Sequence, residues 1–423
     1  MKVTGIIAEY NPFHKGHEYH LKETRRRLNS DYIVVVMSGN YVQRGAPTII
    51  DKYSRAEMAL KCGADLVLEL PSCFSTASAE YFAFGGVSIL DKLNVVDDLC
   101  FGTESLDNLN ADDEPGKLTE KFNTIAELLI NEPDYYKELL KEGLRSGMST
   151  AAAISGAVER ILGKEYAAII DRSNNILAVE YIKALHEIKS TIKAEPVARM
   201  LSSHNDTRIS ESFSSATAIR NAIFNRYDMN ALQNNLPDPV YDILMDRYLE
   251  TFPVFREDFS TMLGTRLVLA KDAEELNRYF GVSMDLANRF INLRNEFKGF
   301  NQFRELVNAK NMNKATVGRA LMHITLGIKQ ADMDNIYNKE SLKAVKVLGF
   351  RERAKPLLSE IKQKADIKLV TKLADYKPEE DGPDMIMQTT EADMLYRMVC
   401  MSKFNVDLKT PYEQEIIIIK EGE

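Results

Sequence analysis

The segment VTGIIAEYNPFHKGHEYH, residues 3–20, decides the fold of this chain. It opens with an apolar run of strand length at 3–8, and helical spacing starts near residue 14. Three of the six histidines of the chain, His14, His17 and His20, follow the strand at intervals of three residues. That interval places neighbouring imidazoles on one face of a helix. The segment therefore predicts a strand that leads directly into a helix with histidines in its first turns.

The His14-Lys15-Gly16-His17 turn predicts a nucleotide site. The first turn of a helix offers backbone N–H groups and the positive end of the helix dipole to phosphate oxygens. Imidazoles at His14 and His17 add aimed donors, and Gly16 lets a base or ribose approach the backbone. Two alternatives are that both histidines only cap the loop backbone, or that they bind a metal at i, i+3. Since no other ligand cluster accompanies them, we predict no protein metal site.

Outward from this turn, strand-like and helical segments alternate. Apolar runs at 3–8, 32–37, 65–70 and 95–101 are separated by helical stretches at 14–29, 51–62 and 78–92. This rhythm predicts βαβ units with a parallel sheet. A helical insertion is expected at about 106–165, after which a helix from 173, a strand at 191–199 and a helix from 214 resume the α/β pattern.

The second half of the chain has a different character. A turn-rich stretch at 233–239 marks a boundary, and residues 240–365 have a mostly helical pattern. A charged loop at 377–384 lies between a strand-like segment (367–373) and a helix (391–401). We predict an α/β, Rossmann-like domain at 1–235, followed at 236–423 by a mostly helical domain with a small α/β tail.

Composition sets further limits. Hydrophobic residues make up 45% and charged residues 27% of 423, as in ordinary globular proteins. The apolar runs are strand-sized, so no membrane partner is expected, and the absence of a signal segment predicts a cytoplasmic protein. The four cysteines (Cys62, Cys73, Cys100 and Cys400) are isolated and are predicted to be buried thiols. The net charge of −8 requires any nucleic-acid contact to come from a local patch.

Several motifs carry a resemblance to a known family. They are the segments 8–17, 37–45 and 51–59, then Phe101-Gly102-Thr103-Glu104, 174–177 and 214–220. The His-x-Gly-His element resembles the signature of the HxGH nucleotidyltransferase superfamily, which shares its fold with class I aminoacyl-tRNA synthetases. The whole set is similar to the bacterial tRNA(Met) cytidine acetate ligase family.

This resemblance implies a set of ATP-binding residues around catalytic His14 and His17. The implied ATP-binding residues are Ile7, Ala8, Glu9, Tyr10, Asn11, Pro12, Phe13, Lys15, Gly16, His20, Gly102, Asn174 and Arg199. In addition, Ser215, Thr217 and Arg220 at a helix start suit the β- and γ-phosphates, because hydroxyls and guanidinium make charge-assisted bonds. The alternatives are a strand end at Gly102, a helix cap at Asn174, a solvated strand end at Arg199 and a Ser-capped surface helix at Ser215.

A basic segment is the candidate RNA surface. Residues 278–319 hold eight lysines or arginines against three acids, interleaved with Phe290, Phe297, Phe300 and Phe303. The candidate tRNA-binding residues are Arg289, Arg294, Lys298, Lys310, Lys314 and Arg319. The alternative is an amphipathic helical pair with phenylalanines in the core. The chain departs from the family pattern at 200–206 and 310–319.

The resemblance implies an ATP-dependent ligase. Acetate, or another small carboxylate, would be activated as an acyl-adenylate, and the acetyl group would pass to N4 of the wobble cytidine of elongator tRNA(Met). ATP, Mg²⁺ and tRNA are therefore expected partners. Two alternatives remain: a nucleotidyltransferase that joins AMP to a phosphorylated small molecule, and a non-catalytic nucleotide- or RNA-binding module.

Overall fold

The computed structural model describes residues 1–104, 115–198, 215–225, 229–308, 313–336, 339–378 and 384–422. Arg199, the segment 200–206 and Lys310 lie outside these ranges. Among the described residues the strands are β1 (Val3–Ala8), β2 (Tyr32–Ser38), β3 (Tyr41–Val42), β4 (Ala46–Pro47), β5 (Leu66–Leu70), β6 (Asp98–Thr103), β7 (Lys193–Ala198), β8 (Ala344–Arg351), β9 (Lys368–Val370) and β10 (Ile417–Ile419).

The helices occupy both halves of the chain. They are α1 (Lys15–Leu28), α2 (Lys52–Lys61), α3 (Ser72–Ser75), α4 (Ala79–Lys92), α5 (Pro115–Asn131), α6 (Asp134–Arg145), α7 (Thr150–Leu162), α8 (Lys164–Ile170), α9 (Ser173–Glu187), α10 (Ala216–Phe224), α11 (Asp238–Asp246), α12 (Ser260–Leu269), α13 (Ala273–Asn277), α14 (Met284–Leu293), α15 (Phe300–Val307), α16 (Lys314–Leu326), α17 (Gln330–Ile336), α18 (Lys355–Lys364) and α19 (Met385–Phe404).

The main sheet is mostly parallel, as predicted. Its strands follow the order β10-β8-β5-β2-β1-β6-β7, with β9 paired to β8 beside this path. The strands from β5 through β2, β1 and β6 to β7 run parallel, and β1 pairs with β2 from Val3–Tyr32 to Ala8–Met37. Strands β2 and β5 extend one side of β1 while β6 and β7 extend the other. Ligands of open α/β sheets bind at the carboxyl ends of strands beside such a switch point.

Residues of the strands alternate between two apolar layers. Val34 and Val36 of β2 lie in the layer that contains α4 and α9, whereas Val35 and Met37 lie in the layer that contains α1 and α2. A strand covered on both faces has a continuous apolar sequence, which explains the run at 32–37. The helical insertion is present as α5 to α8, and α9 then returns to the sheet next to β6.

The tail of the chain was predicted incompletely. Residues 344–351 were expected to be helical, but they form β8, which is antiparallel to β5. A short apolar run has the same periodicity whether it forms a buried strand or a helix segment, and here pairing with β5 decides the outcome. The strands of the tail therefore extend the N-terminal sheet instead of forming a sheet of their own.

The four cysteines are buried free thiols, as predicted. Within the described ranges, no helix combines the length and the apolar character that crossing a membrane requires.

Candidate nucleotide-binding site

The loop between β1 and α1 presents His14 at the start of the helix. Tyr10 has a positive φ of 48°, the Asn11–Pro12 peptide is cis, and His14 is the N-cap residue of α1. The Nδ1 atom of His14 accepts a hydrogen bond from the Gly16 N–H at 3.0 Å. In a neutral imidazole the proton then resides on Nε2, which makes that nitrogen a donor. Backbone capping, one of the alternatives, is therefore present, and it uses Nδ1 and not Nε2 of His14.

The two catalytic candidates form a stacked pair. The ring centroids of His14 and His17 are 3.7 Å apart with an angle of 25° between the planes. Tyr10 packs edge-on against His17 at 4.8 Å, and Phe13 lies at 5.4 Å from the same ring. Both aromatic residues are buried. The loop thus places the imidazoles side by side on a packed aromatic support.

Gly16 has a reason for being glycine that the sequence did not reveal. A Cβ atom at this position would lie 2.9 Å from Cε1 and 3.0 Å from Nδ1 of His14. Such distances are shorter than van der Waals contact, so a side chain would displace the imidazole. The predicted role of Gly16 in ligand approach stays a prediction.

Arg55 of α2 supports the loops beside the HxGH turn, a role that sequence reasoning missed. Its buried guanidinium donates to the carbonyl oxygens of Glu9 at 2.7 Å, Ser38 at 3.0 Å and Ile50 at 3.2 Å, and also to the carbonyl of Gly39. Burial lowers the pKa of Arg55 to about 10, which keeps it charged at neutral pH. Arg55 therefore joins the chain segments that leave β1 and β2. The motif 51–59 was the available signal, but it did not indicate this role.

Arg220 connects α10 to the same loop. It donates from Nη1 to the carbonyl of Asn11 at 2.5 Å and from Nη2 to Oγ1 of Thr217 at 3.1 Å. The Ser215 hydroxyl accepts from the N–H of Ala218 at 3.1 Å, which is the helix-capping alternative. The structure thus brings the start of α10 to the HxGH turn, while its phosphate contacts remain a prediction.

Asn174 and Gly102 lie at the end of β6. Gly102 is paired with Val197 one residue before the strand ends. Asn174 donates from Nδ2 to Oε1 of Glu104 at 2.6 Å, and the cap position of α9 is Arg172. The helix-cap alternative for Asn174 is therefore wrong. Glu104, which the sequence indicated only as part of a motif, accepts this hydrogen bond and orients the Asn174 side chain.

Two predicted ATP ligands contact protein groups. Lys15 donates from Nζ to the carbonyl of Asn234 at 2.6 Å, and His20 has Nε2 at 3.5 Å from Sγ of Cys100. Burial raises the pKa of Cys100 to about 12, so this thiol is protonated at neutral pH. The ATP roles of Lys15 and His20 stay predictions.

The candidate RNA residues are spread over several environments. Arg294 donates to the carbonyl of Ala270 at 2.6 Å, and Lys314 pairs with Glu305 at 2.6 Å. Lys298 is exposed and Arg289 is half-buried. Arg319, on α16, lies beside the β3–β4 loop.

The phenylalanines of this segment belong to the core. Phe290, Phe300 and Phe303 are buried, and Phe297 is packed on the same cluster. The core interpretation is therefore confirmed for Phe290, Phe300 and Phe303, whose burial leaves no ring face for a base.

Within the part of the chain that the structure describes, no group of three or more His, Cys, Asp or Glu side chains is arranged to hold a metal ion.

Comparison with known proteins defines the class first. Residues 1–410 match the family model described as HIGH Nucleotidyl Transferase. Curated relatives then specify the family. A tRNA(Met) cytidine acetate ligase of Acetivibrio thermocellus is 39% identical over 89% of both chains, and one of Clostridium novyi is 36% identical over 97% of this chain and 98% of its own. The chain belongs to the tRNA(Met) cytidine acetate ligase family of HIGH nucleotidyltransferases.

Solved structures agree with this assignment. Apo Thermotoga maritima TmcAL is 32% identical with a TM-score of 0.90, covering 99% of this chain and 100% of its own. The same protein bound with alpha-thio ATP is 31% identical with a TM-score of 0.87 at the same coverage.

Proposed function

We propose that this protein is an ATP-dependent tRNA cytidine acetate ligase. In the first step an acetate oxygen attacks the α-phosphorus of ATP, and pyrophosphate leaves with the electron pair of the broken P–O bond. In the second step the N4 amine of the wobble cytidine of elongator tRNA(Met) attacks the carbonyl of acetyl-adenylate. An N–C bond forms, AMP leaves, and the amine loses a proton.

The arrangement of His14 supports this function most directly. Because Nδ1 of His14 accepts a hydrogen bond from the Gly16 N–H, the neutral ring is a donor through Nε2, and it lies beside the stacked ring of His17. Donors aimed at oxygens that gain charge in a transition state are among the largest contributors to catalysis. The N-terminal amides of α1 add to the attraction for phosphate. Phosphoryl-type transfers need mainly positioning and charge stabilisation, so no dedicated base is required for the first step.

Mg²⁺ fits this reaction as a companion of ATP. Such ions are held largely by phosphate oxygens and water, together with one or two carboxylates. When bound, the ion would reduce the negative charge of the triphosphate. ATP and tRNA are both cytoplasmic, and we propose that compartment for the enzyme.

The experiment that tests the function is pyrophosphate exchange. Labelled pyrophosphate should enter ATP when acetate is present, and the acetyl group should then appear on elongator tRNA(Met). Exchange that proceeds without any carboxylate, or only with a phosphorylated small molecule, would support a plain nucleotidyltransferase instead. A complete lack of exchange with bound ATP would indicate a non-catalytic module.

The first prediction concerns His14. We expect His14→Ala to lower acetate-dependent exchange by about 10² to 10³-fold, because removal of one aimed donor has this effect in other enzymes. His186→Ala is the matched control, since His186 is exposed on α9 and its ring contacts Asn123 at 3.3 Å. An exchange rate that survives His14→Ala would remove the catalytic role of this residue.

A further inference from the structure

The β3–β4 loop, residues 43–45, lies between the HxGH turn and the helices of the second half. On one side the N–H of Gln43 donates to Oε1 of Glu9 at 3.0 Å. On the other side a Cβ atom on Gly45 would lie 2.2 Å from the carbonyl carbon of Gly318 in α16. Gly45 also has a φ of 61°, which favours glycine. The loop is therefore fixed between the nucleotide site and α16.

Five arginines gather around this loop from different parts of the chain. Arg256 donates from Nε to the carbonyl of Gly45 at 2.9 Å and from Nη2 to the carbonyl of Arg44 at 3.2 Å. On α16, a Cβ on Gly318 would lie 3.6 Å from Cδ of Arg304, and Arg319 is the next residue along. The group, called here the arginine cluster, consists of Arg44, Arg220, Arg256, Arg304 and Arg319.

The electrostatics of Arg256 show that these cations act on one another. Burial, followed by the charges of Arg304, Arg220 and Arg44, lowers the pKa of Arg256 to about 9, while the charge of Glu257 acts in the opposite direction. Its guanidinium donates to two carbonyl oxygens and, at 3.4 Å, to Oδ1 of Asn301. These acceptors are neutral, so they do not balance the positive charge.

Nearby carboxylates compensate only part of the charge. Glu305 pairs with both Arg304 and Lys314, and Glu257 accepts from the backbone N–H of Asn301 and the hydroxyl of Ser260. Glu9 accepts from the β3–β4 loop. In a chain with a net charge of −8, this concentration of positive charge is a local exception. Like charges that a fold holds together are stabilised when a polyanion binds them.

We propose that the arginine cluster binds the phosphodiester groups of the RNA strand on either side of the target base, and thereby holds that base at the HxGH turn. The inference rests on the proposed function. The arginine cluster differs from the tRNA-binding residues that the sequence predicted, and the two sets share only Arg319. Guanidinium forks suit phosphate geometry, and a strand crossing the cluster passes from α15 and α16 to the loop that touches Glu9.

An RNA strand explains the extent of the cluster better than the triphosphate of ATP does. The triphosphate is expected over His14, His17 and the start of α1, where Arg220 already contacts the loop through Asn11. Arg44, Arg304 and Arg319 belong to elements beyond that turn. These three arginines are therefore suited to RNA phosphates that lie farther from the reacting atoms.

The test uses Arg44→Gln combined with Arg304→Gln in the full chain. We expect the Kd for elongator tRNA(Met), measured by fluorescence anisotropy without ATP or acetate, to rise at least about tenfold. The slope of log Kd against log salt should become shallower by about 1.4, because single-stranded nucleic acid contributes about 0.7 per phosphate contact. The Michaelis constant for ATP in acetate-dependent exchange without tRNA should stay within about twofold.

The control removes the same charge elsewhere. Arg145→Gln with Arg160→Gln changes two exposed arginines of the insertion, and neither should alter tRNA affinity. Arg44 is exposed in its loop, so we expect Arg44→Gln alone to fold, and it provides a second variant. Unchanged tRNA affinity, or an increase confined to the Michaelis constant for ATP, would overturn the proposal. Because the anisotropy measurement needs no turnover, it separates failure of this inference from failure of the proposed ligase activity.

Discussion

At His14, one ring nitrogen is already used by the protein. The Gly16 N–H donates to Nδ1, so the histidine is both a helix cap and, through Nε2, a donor. Residue 16 is glycine because a larger side chain at this position would collide with the His14 imidazole. The glycine of the HxGH motif is thus a steric requirement of the His14 cap.

A substitution at Gly16 tests this coupling. We expect Gly16→Ala to lower acetate-dependent exchange about 10- to 100-fold, because the new methyl group displaces the His14 ring, for which we propose a role in transition-state stabilisation. Gly156→Ala on α7 is the matched control, since a Cβ there meets no atom within 4 Å. That change should leave exchange intact and raise stability slightly, as alanine favours helices over glycine. Equal activity of both variants would contradict the steric argument.

Between elements, a buried group of charges joins the two halves of the chain. Lys52 of α2 donates to Glu69 of β5 at 2.6 and 2.7 Å and to Asp393 of α19. Asn40 also donates to Asp393, at 2.9 Å. Lys346 of β8 is buried nearby, and within the described chain its Nζ has no hydrogen-bond acceptor. Burial, followed by the charge on Lys52, lowers the pKa of Lys346 to about 8.

This pKa predicts how stability depends on pH. Between pH 8 and the ordinary value of 10.5, folded Lys346 loses its proton while the unfolded chain retains it, so stability rises with pH. Below pH 8 both states are charged, and the full cost of burying the charge remains. We expect wild type to gain about 2 kcal/mol relative to Lys346→Met between pH 7.5 and 10. Denaturant unfolding at both pH values measures this, and parallel changes in the two proteins would refute it.

At the scale of the whole molecule, β8 adds a strand from the second half of the chain to the sheet of the first half. It covers the edge of β5, whose Leu66 and Leu68 are fully buried. An uncovered apolar edge strand is a site of aggregation and weak pairing. The predicted division at residue 235 stays a prediction, and the pairing of β8 bears on whether the first part can fold alone.

Truncation tests this dependence. We expect the fragment 1–235 to aggregate or to melt without cooperativity, because it exposes the edge of β5 and leaves Lys52 without Asp393. The same fragment joined by a flexible linker to residues 343–423 should regain a cooperative transition in circular dichroism. A fragment 1–235 that melts cooperatively and binds ATP would show that the first domain is independent.

The local parts of the fold and site could be predicted from the sequence. The positions of β1, β2, β5 and β6 follow from continuous apolar runs, which burial on both faces of a parallel sheet requires. The HxGH turn follows from residue types and spacing within seven positions, because the unpaired N–H groups of a helix N-terminus are a local feature of the chain. The resemblance built on these local motifs led to the correct family.

Tertiary structure alone decided the long-range contacts. Whether residues 344–351 form a strand depends on the free edge of β5, nearly 300 residues earlier, and periodicity does not contain that information. Arg55 and the arginine cluster are likewise defined by carbonyl groups and cations that folding brings together from distant segments. Sequence fixes what each segment can do by itself, whereas a partner from elsewhere in the chain is known only once the sheet and helices are assembled.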